Sequence, residues 1–317
     1  MSIVHLVSVS GGKDSTATLL YALATQPRES VRAVFADTGN EHEATIEYVA
    51  YLADATGVPI RTLKPDFTEW WWRRRDYIRD VYPNKLIAEG YADVDGMIAR
   101  MLEVFDEGPS GIPYLDLAMI KGRFPSRTRQ FCTQFLKTEP LTELAMDIID
   151  REGVHVWSWQ GIRSEESPGR ARTPEFEEIG GGLWAYRPIK RWKIGDVFDA
   201  HREFGIAPNP LYKLGMNRVG CMPCINANKN EIREIARRFP EHMDRIEAWE
   251  QAVGQASKRG GTSSFFPAPE DGRGDLMGRN IREVILWSQT TRGGRQFDLL
   301  AASEELPACS SAYGLCE

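Results

Sequence analysis

Residues 3–24 constrain the fold of this 317-residue chain more than any other segment. Ile3-Val4-His5-Leu6-Val7-Ser8-Val9 is apolar enough for a buried strand, and Thr16-Ala17-Thr18-Leu19-Leu20-Tyr21-Ala22-Leu23-Ala24 reads as a helix. Between them stands Ser10-Gly11-Gly12-Lys13-Asp14-Ser15. A strand, a tight glycine turn and a helix N-terminus present backbone N–H groups and the positive end of a helix dipole to an anion. The glycines allow a sharp bend and close approach of a ligand. Lys13 adds charge, and Ser10 and Ser15 add hydroxyl donors. The segment reads as a phosphate cradle, though not a Walker A loop, which needs four residues between its glycines. A plain strand–turn–helix link is the alternative.

The alternation continues. Val31-Arg32-Ala33-Val34-Phe35-Ala36 reads as a second strand ending in Asp37-Thr38-Gly39-Asn40, followed by a helix over 43–57 and a third strand, Val58–Leu63. This spacing predicts an α/β fold with a doubly wound parallel sheet and ligands at the carboxyl ends of its strands. Both the glycine loop and Asp37-Thr38-Gly39 fall at such ends. From about 65 to 121 the pattern loosens into aromatic and charged stretches, expected to form an inserted helical lid. Leu136–Glu152 reads as a helix, 154–159 as a strand, 196–206 as a helix, and Glu231–Val253 as one long helix. The expected organisation is a nucleotide-binding domain over 1–225 and a helical, loop-rich C-terminal extension over 226–317.

Nothing in the sequence approaches the roughly 20 apolar residues of a membrane helix, and a strand begins almost at the first residue. Both point to a cytoplasmic protein without a secretory signal. With a net charge of −6, contact with nucleic acid would require a local basic patch. Five cysteines in such a chain suggest a metal, a cluster or thiol chemistry more than a disulfide scaffold.

Four further segments carry chemistry. Asp37-Thr38-Gly39 can read a ribose or organise Mg²⁺, or simply cap a helix. The stretch 121–137, from Lys121 through Arg123, Arg127, Arg129 and Cys132 to Lys137, contains no acidic residue. It suits solvent, a bound anion or a nucleic-acid backbone. Gly161-Ile162-Arg163 to Arg172 offers arginines that can fork onto phosphate or sulfate oxygens, or pair with Glu165 and Glu166. Cys221-Met222-Pro223-Cys224 presents two thiols in a turn; with Cys132 there are three ligands, and Cys309 or Cys316 could be a fourth. Soft sulfur donors suggest [4Fe–4S] first and zinc second; a redox pair or unligated thiols are the alternatives. Trp70-Trp71-Trp72-Arg73-Arg74-Arg75 can stack bases and neutralise phosphates of DNA or RNA, or form a packed helix with solvated arginines.

The loop resembles the PP-loop of the N-type ATP pyrophosphatases. Together with Asp37–Gly39, Cys132–Leu141, Gly161–Arg170 and Asn209–Cys224, it makes residues 1–235 similar to the phosphoadenosine phosphosulfate (PAPS) reductase family. That resemblance implies the adenine-nucleotide alpha-hydrolase-like, Rossmann-like fold. The chain departs from the sulfonucleotide reductases in keeping Lys13 and Asp14, and in having Phe131-Cys132 where cluster-bearing members have a cysteine pair. Its tail reads Tyr313-Gly314-Leu315-Cys316-Glu317 in place of a Glu-Cys-Gly-Leu-His-like end. These features are closer to the branch of the DNA phosphorothioation component DndC and the cluster-dependent tRNA thiolases. The implied activity is ATP cleavage to AMP and pyrophosphate, adenylating a nucleic-acid substrate for sulfur transfer from a donor such as a cysteine desulfurase. Ser10, Gly11, Gly12 and Ser15 would then hold the β,γ-phosphates. Lys13 would offset developing charge, Asp14 or Asp37 would help hold Mg²⁺, and Arg163 and Arg170 would steady nucleotide or substrate. A thiol-dependent PAPS or adenosine phosphosulfate reductase, with Cys316 or Cys309 as nucleophile, is the second implication. A non-catalytic adenine-nucleotide-binding subunit is the third.

Overall fold

The computed structural model describes residues 2–261, 263–266, 280–291 and 315. Strands β1 (Ile3–Val9), β2 (Val31–Ala36), β3 (Ile60–Leu63), β4 (His155–Trp159), β5 (Phe176–Gly180) and β6 (Leu183–Tyr186) form one sheet in the order β3-β2-β1-β4-β6-β5. All neighbours run parallel except β5, which turns back along β6 as an antiparallel edge. The sheet's position explains the composition of β1. It pairs with β2 on one side and β4 on the other, and is covered on both faces, so Val4, Leu6, Val7 and Val9 are all buried.

Helix α1 (Lys13–Thr25) packs on one face with α2 (Glu43–Thr56) and, later in the chain, α10 (Ile194–Glu203); Leu19, Leu20, Tyr48, Val49 and Leu52 join the underside of β1 and β2 there. Helix α8 (Glu139–Glu152) covers the other face through Leu144, Ala145 and Ile148. The fold is therefore the expected α/β sandwich with helices on both faces. The chain walks outward from β1 to β3, then returns to lay β4 on the opposite side of β1. That reversal opens a crevice at the carboxyl ends of β1 and β4, and the site lies there.

The expected lid consists of α3 (Thr68–Asp80), α4 (Tyr82–Ala88), α5 (Val94–Asp106) and α6 (Pro113–Lys121). It shares one apolar core with α11 (Lys229–Arg238), α12 (Pro240–Gln255) and α13 (Ile281–Ser288), through Trp71, Phe105, Leu117, Ile232, Trp249 and Ile281 among others. The expected long helix over 231–253 is two helices, because Phe239 leaves the helical region and Pro240 starts α12 at its first turn. Upstream of α8, the chain enters through the short α7 (Phe131–Thr133) and a π-turn over Gln134–Thr138. A one-turn helix, α9 (Pro168–Arg172), follows β4.

The tryptophan–arginine run lies on α3. Trp71 is buried, and its indole N–H donates to the Phe105 carbonyl at 2.9 Å, while Trp72 is exposed. Arg73 pairs with Glu69 at 2.5 Å, Arg75 pairs with Asp106, and Arg74 lies over the rings of Tyr77 and Tyr82. All three arginines thus have partners within the lid.

Candidate functional site

The glycine loop turns the chain sharply from β1 into α1. Gly11 takes φ +71°, where a side chain is strained, and an added Cβ would lie 2.7 Å from Thr45 Cγ2 on α2. The loop is braced internally: Ser15 Oγ accepts the Ser10 N–H at 3.0 Å and donates to the Gly12 carbonyl at 2.9 Å. Gly161, just beyond β4, touches the same turn. A Cβ there would lie 2.9 Å from the Asp14 carbonyl carbon, so glycine lets the two strand ends meet.

Three residues from about 190 positions later in the chain complete the turn. The Lys13 N–H donates to the Tyr212 hydroxyl at 2.9 Å, and the Lys13 ammonium sits 5.1 Å from the centre of the Tyr212 ring. Asn209 Nδ2 donates to the Gly11 carbonyl at 3.1 Å, and His201 Nε2 lies 3.1 Å from the Lys13 carbonyl. Asp14 is enclosed by cations: Lys13 Nζ lies at 3.3 Å, and the buried Arg163 guanidinium bonds to it while also pairing with Glu165. Arg170 pairs with Glu166. Internal pairing therefore occupies Arg163 and Arg170, yet Arg170 still lines the cavity. At the end of β2, Asp37 Oδ1 accepts the Gly39 N–H at 2.8 Å.

The cavity above the loop measures about 250 Å³. Ser10, Gly12, Lys13, Asp14 and Ser15 line one side; Lys137, Arg170, Arg218, Cys221 and Cys224 also face it. A larger open groove of about 650 Å³ lies beyond β3 against α8, lined by Arg61, Lys64, Trp70, Phe135 and Glu139 among others. It touches neither the loop nor the thiols.

The 37–41 turn holds the thiol loop. Glu41 accepts from the Thr38 N–H at 3.0 Å and from its hydroxyl at 2.8 Å, and both residues reach Cys221 Sγ, Thr38 Oγ1 at 3.4 Å and Glu41 Oε1 at 3.5 Å. Asn40 takes the Met222 N–H on its carbonyl at 2.7 Å and donates its amide to the Pro223 carbonyl at 3.0 Å. Arg245, on α12, closes the bracket. Its Nη2 lies 3.0 Å from Asn40 Oδ1, 2.9 Å from the Met222 carbonyl and 2.9 Å from His242 Nδ1.

Cys132, Cys221 and Cys224 are all unbridged. Burial pushes the Cys221 thiol up to about 12, against the pull of Lys137, and raises Cys132 as well, with Cys224 adding to the rise. In turn, Cys221, Glu41, Cys224 and Cys132 together raise Lys137 against its burial. Lys137, Cys221 and Cys224 face the same cavity, and the buried hydroxyl of Tyr114 has no hydrogen-bond partner among the described residues. Soft donors beside a cation are the donor chemistry that a thiolate-bound metal or cluster would use. A coordinated metal would deprotonate thiols that burial otherwise keeps neutral. Cys309 and Cys316 lie outside the described residues.

Among the described residues, the group of three ligand-type side chains whose atoms lie within 4.8 Å of one another is His42, Glu43 and His242. Their chemistry does not suit a cation. Arg245 can only donate, so neutral His242 accepts on Nδ1 and keeps its proton on Nε2, the atom 3.3 Å from Glu43. His42 Nδ1 similarly accepts the Ala44 N–H at 3.0 Å. With those lone pairs already used, the cluster is a polar strap between α2 and α12.

The loop, the arginine segment and the thiols thus converge on the switch point of a doubly wound sheet. This is the class of α/β proteins whose ligands sit at the carboxyl ends of their strands. Within that class the chain belongs to the PAPS reductase family: the phosphoadenosine phosphosulfate reductase domain matches residues 4–92 and 117–227. It is 42% identical to an uncharacterised 37.8 kDa protein of Escherichia phage 186, over the whole of this chain and 97% of that protein. An adenosine 5'-phosphosulfate reductase of Burkholderia cepacia is 33% identical over 101 residues, 31% of this chain and 37% of that enzyme. The PAPS reductase of Candida auris, solved with phosphate, is 18% identical over 69% of this chain and 82% of that one, with a TM-score of 0.39.

Sequence reasoning gave Tyr212 no role of its own and did not single out Tyr114, Glu41, His201 or Arg245. Tyr212 alone had a local signal, standing in the Asn209-Pro210-Leu211-Tyr212 segment just before the cysteines. The others act through contacts between distant parts of the chain.

Proposed function

We propose that the chain binds Mg-ATP on the glycine loop, cleaves it to AMP and pyrophosphate, and so adenylates a substrate oxygen for displacement by sulfur. One observation supports this most: the loop, Cys221 and Cys224 line a single cavity, so an activated centre on the nucleotide would face the sulfur-bearing side. In the adenylation step the substrate oxygen bonds to the α-phosphorus as the bond to the pyrophosphate oxygen breaks. The leaving charge falls beside the first turn of α1 and the Lys13 ammonium. Tyr212 and Asn209 keep that turn in shape. The sulfur then displaces AMP. Cys132, Cys221 and Cys224 would hold the [4Fe–4S] cluster, or zinc, that presents the sulfur.

A nucleic-acid acceptor is consistent with the exposed Arg123, Arg127 and Arg129 just before Cys132. A cysteine desulfurase would serve as donor in a cytoplasmic setting. The second reading, reduction of PAPS or adenosine phosphosulfate by a tail cysteine, is favoured by the reductase relatives.

Calorimetric titration of anaerobically purified protein with Mg-ATP, PAPS and adenosine phosphosulfate separates the readings. The expected result is preference for Mg-ATP, lost in Lys13→Ala. Preference for a sulfonucleotide would sink the adenylation reading. Tight Mg-ATP binding with no pyrophosphate released in the presence of nucleic acid and a sulfur donor would point to a nucleotide-sensing subunit.

A further inference from the structure

We propose that Arg218 makes the cavity selective for two linked phosphoryl groups over one: the glycine loop seats the first, and the Arg218 guanidinium forks onto the second. This deepens the proposed function and rests on its reading of the loop as a phosphate site.

Charge carries the first part of the argument. The chain has a net charge of −6, yet Lys13, Lys137, Arg170 and Arg218 line one cavity against only two carboxylates, Asp14 and Glu166. Cations held together repel one another, and a cleft lined by them draws in an anion. Both carboxylates are already engaged, Asp14 by Lys13 and Arg163, Glu166 by Arg170. Lys137 and Arg218 are left outside any ion pair among the described residues. Of the two, Arg218 is the exposed one, open to an arriving ligand.

The backbone around Arg218 is fixed, although its side chain is not. Upstream, the Tyr212 hydroxyl takes the Lys13 N–H at 2.9 Å and Asn209 holds the Gly11 carbonyl at 3.1 Å. Immediately downstream, the Val219 carbonyl oxygen lies 3.4 Å from where a Cβ on Gly12 would stand. Cys221 then forms an antiparallel bridge with Glu41. Arg218 is therefore carried between the phosphate loop and the turn after β2, on a wall of the cavity that the loop does not supply.

Size and donor geometry complete the case. At about 250 Å³ the cavity falls below the roughly 300–1,000 Å³ of pockets that enclose a whole drug-sized ligand. It suits the compact, charged end of a nucleotide. Arginine offers five N–H donors in a planar fork that matches two oxygens of one phosphoryl group, which a lysine cannot do.

The test is calorimetric titration with inorganic phosphate and with pyrophosphate. It compares wild type, Arg218→Ala, Arg218→Lys and Lys213→Ala, the last an exposed lysine of the same segment that does not line the cavity. Arg218→Ala should lose pyrophosphate affinity by at least about tenfold, the worth of a hydrogen bond to a charged group. Its phosphate affinity should change by less than about twofold, as expected of a screened charge at a distance. Arg218→Lys should fall between Arg218→Ala and wild type, and Lys213→Ala should match wild type with both anions. Equal losses for the two anions, or an equal loss in Lys213→Ala, would reveal only general attraction and overturn the inference. Unchanged pyrophosphate affinity in Arg218→Ala would also overturn it. Those results leave Mg-ATP binding and its dependence on Lys13 untouched. A wild type that binds neither anion would overturn the phosphate reading of the loop as well.

Discussion

At the scale of single residues, the loop's capacity for an anion depends on atoms outside it. The Lys13 N–H, first of the α1 donors, is already given to Tyr212. An anion arriving there meets the phenol's own proton, relayed from the backbone. Hydrogen bonds to charged groups contribute about 1.5–3 kcal/mol, so Tyr212→Phe should weaken inorganic pyrophosphate binding by at least about tenfold in calorimetry. Unchanged or tighter binding would mean that the phenol competes with the anion for the Lys13 N–H. Gly161 makes a second, steric prediction. In Gly161→Ala the new methyl would sit 2.9 Å from both the carbon and the oxygen of the Asp14 carbonyl, and backbone cannot yield as a flexible side chain can. Overpacking of this kind costs about 1–3 kcal/mol. Melting temperature and pyrophosphate affinity should both fall, whereas Gly195→Ala, whose methyl meets open space, should leave both in place.

Among the elements, α12 carries the group with the largest consequence for pH. Glu250 is fully buried, and its two oxygens accept the N–H groups of Phe265 and Ile281, each at 2.7 Å, tying the segment after α12 and the start of α13 to the helix. Burial outweighs those bonds and pushes the carboxyl up from 4.5 to about 7. A raised acid stabilises the fold while protonated, so this contribution is whole below pH 4.5 and is lost as pH rises through about 7. The change is worth on the order of 3 kcal/mol. Denaturant titrations from pH 5 to 7.5 should show that decline in wild type and a flatter profile in Glu250→Gln; parallel profiles would refute it. His42 and His242, both lowered chiefly by burial, act in the opposite sense, costing stability as pH falls below 6.5. Which elements could be read from the sequence follows from the same local physics. β1, α1, β2 and α2 were legible because an apolar period changes at a turn residue. The β5–β6 hairpin was not: Glu177, Glu178 and Gly180 give an edge strand little hydrophobic pattern, and most of β5 is exposed. The 231–253 helix was read as continuous because the apolar period runs across Phe239, although Pro240 forces a restart.

At the scale of the whole molecule, the thiol loop is where the sheet and the helical core meet. The phosphate side of the site was legible, since loop, strand and helix are contiguous in sequence. The sulfur side was legible only as three cysteines, because what holds the 221–224 loop is tertiary: Glu41 and Asn40 after β2 and Arg245 on α12. Arg245 joins the turn after β2 to the thiol loop and α12, since one nitrogen serves Asn40, the Met222 carbonyl and His242 together. A lysine preserves the charge, but its ammonium sits on a shorter side chain than Nη2 and gives up the guanidinium plane that lies over the Trp249 ring. Arg245→Lys should therefore cost about 1–3 kcal/mol, and the loss should be local before it is global. Hydrogen exchange should accelerate first at the Met222 amide, which is held at 2.7 Å by the Asn40 carbonyl, while the β1 amides paired with β2 keep their protection. Uniform acceleration across both would show that Arg245 contributes only general stability. Confinement to the loop would mean that α12 fixes the thiols from the far side of the molecule, so a ligand that orders them would also tighten the helical core.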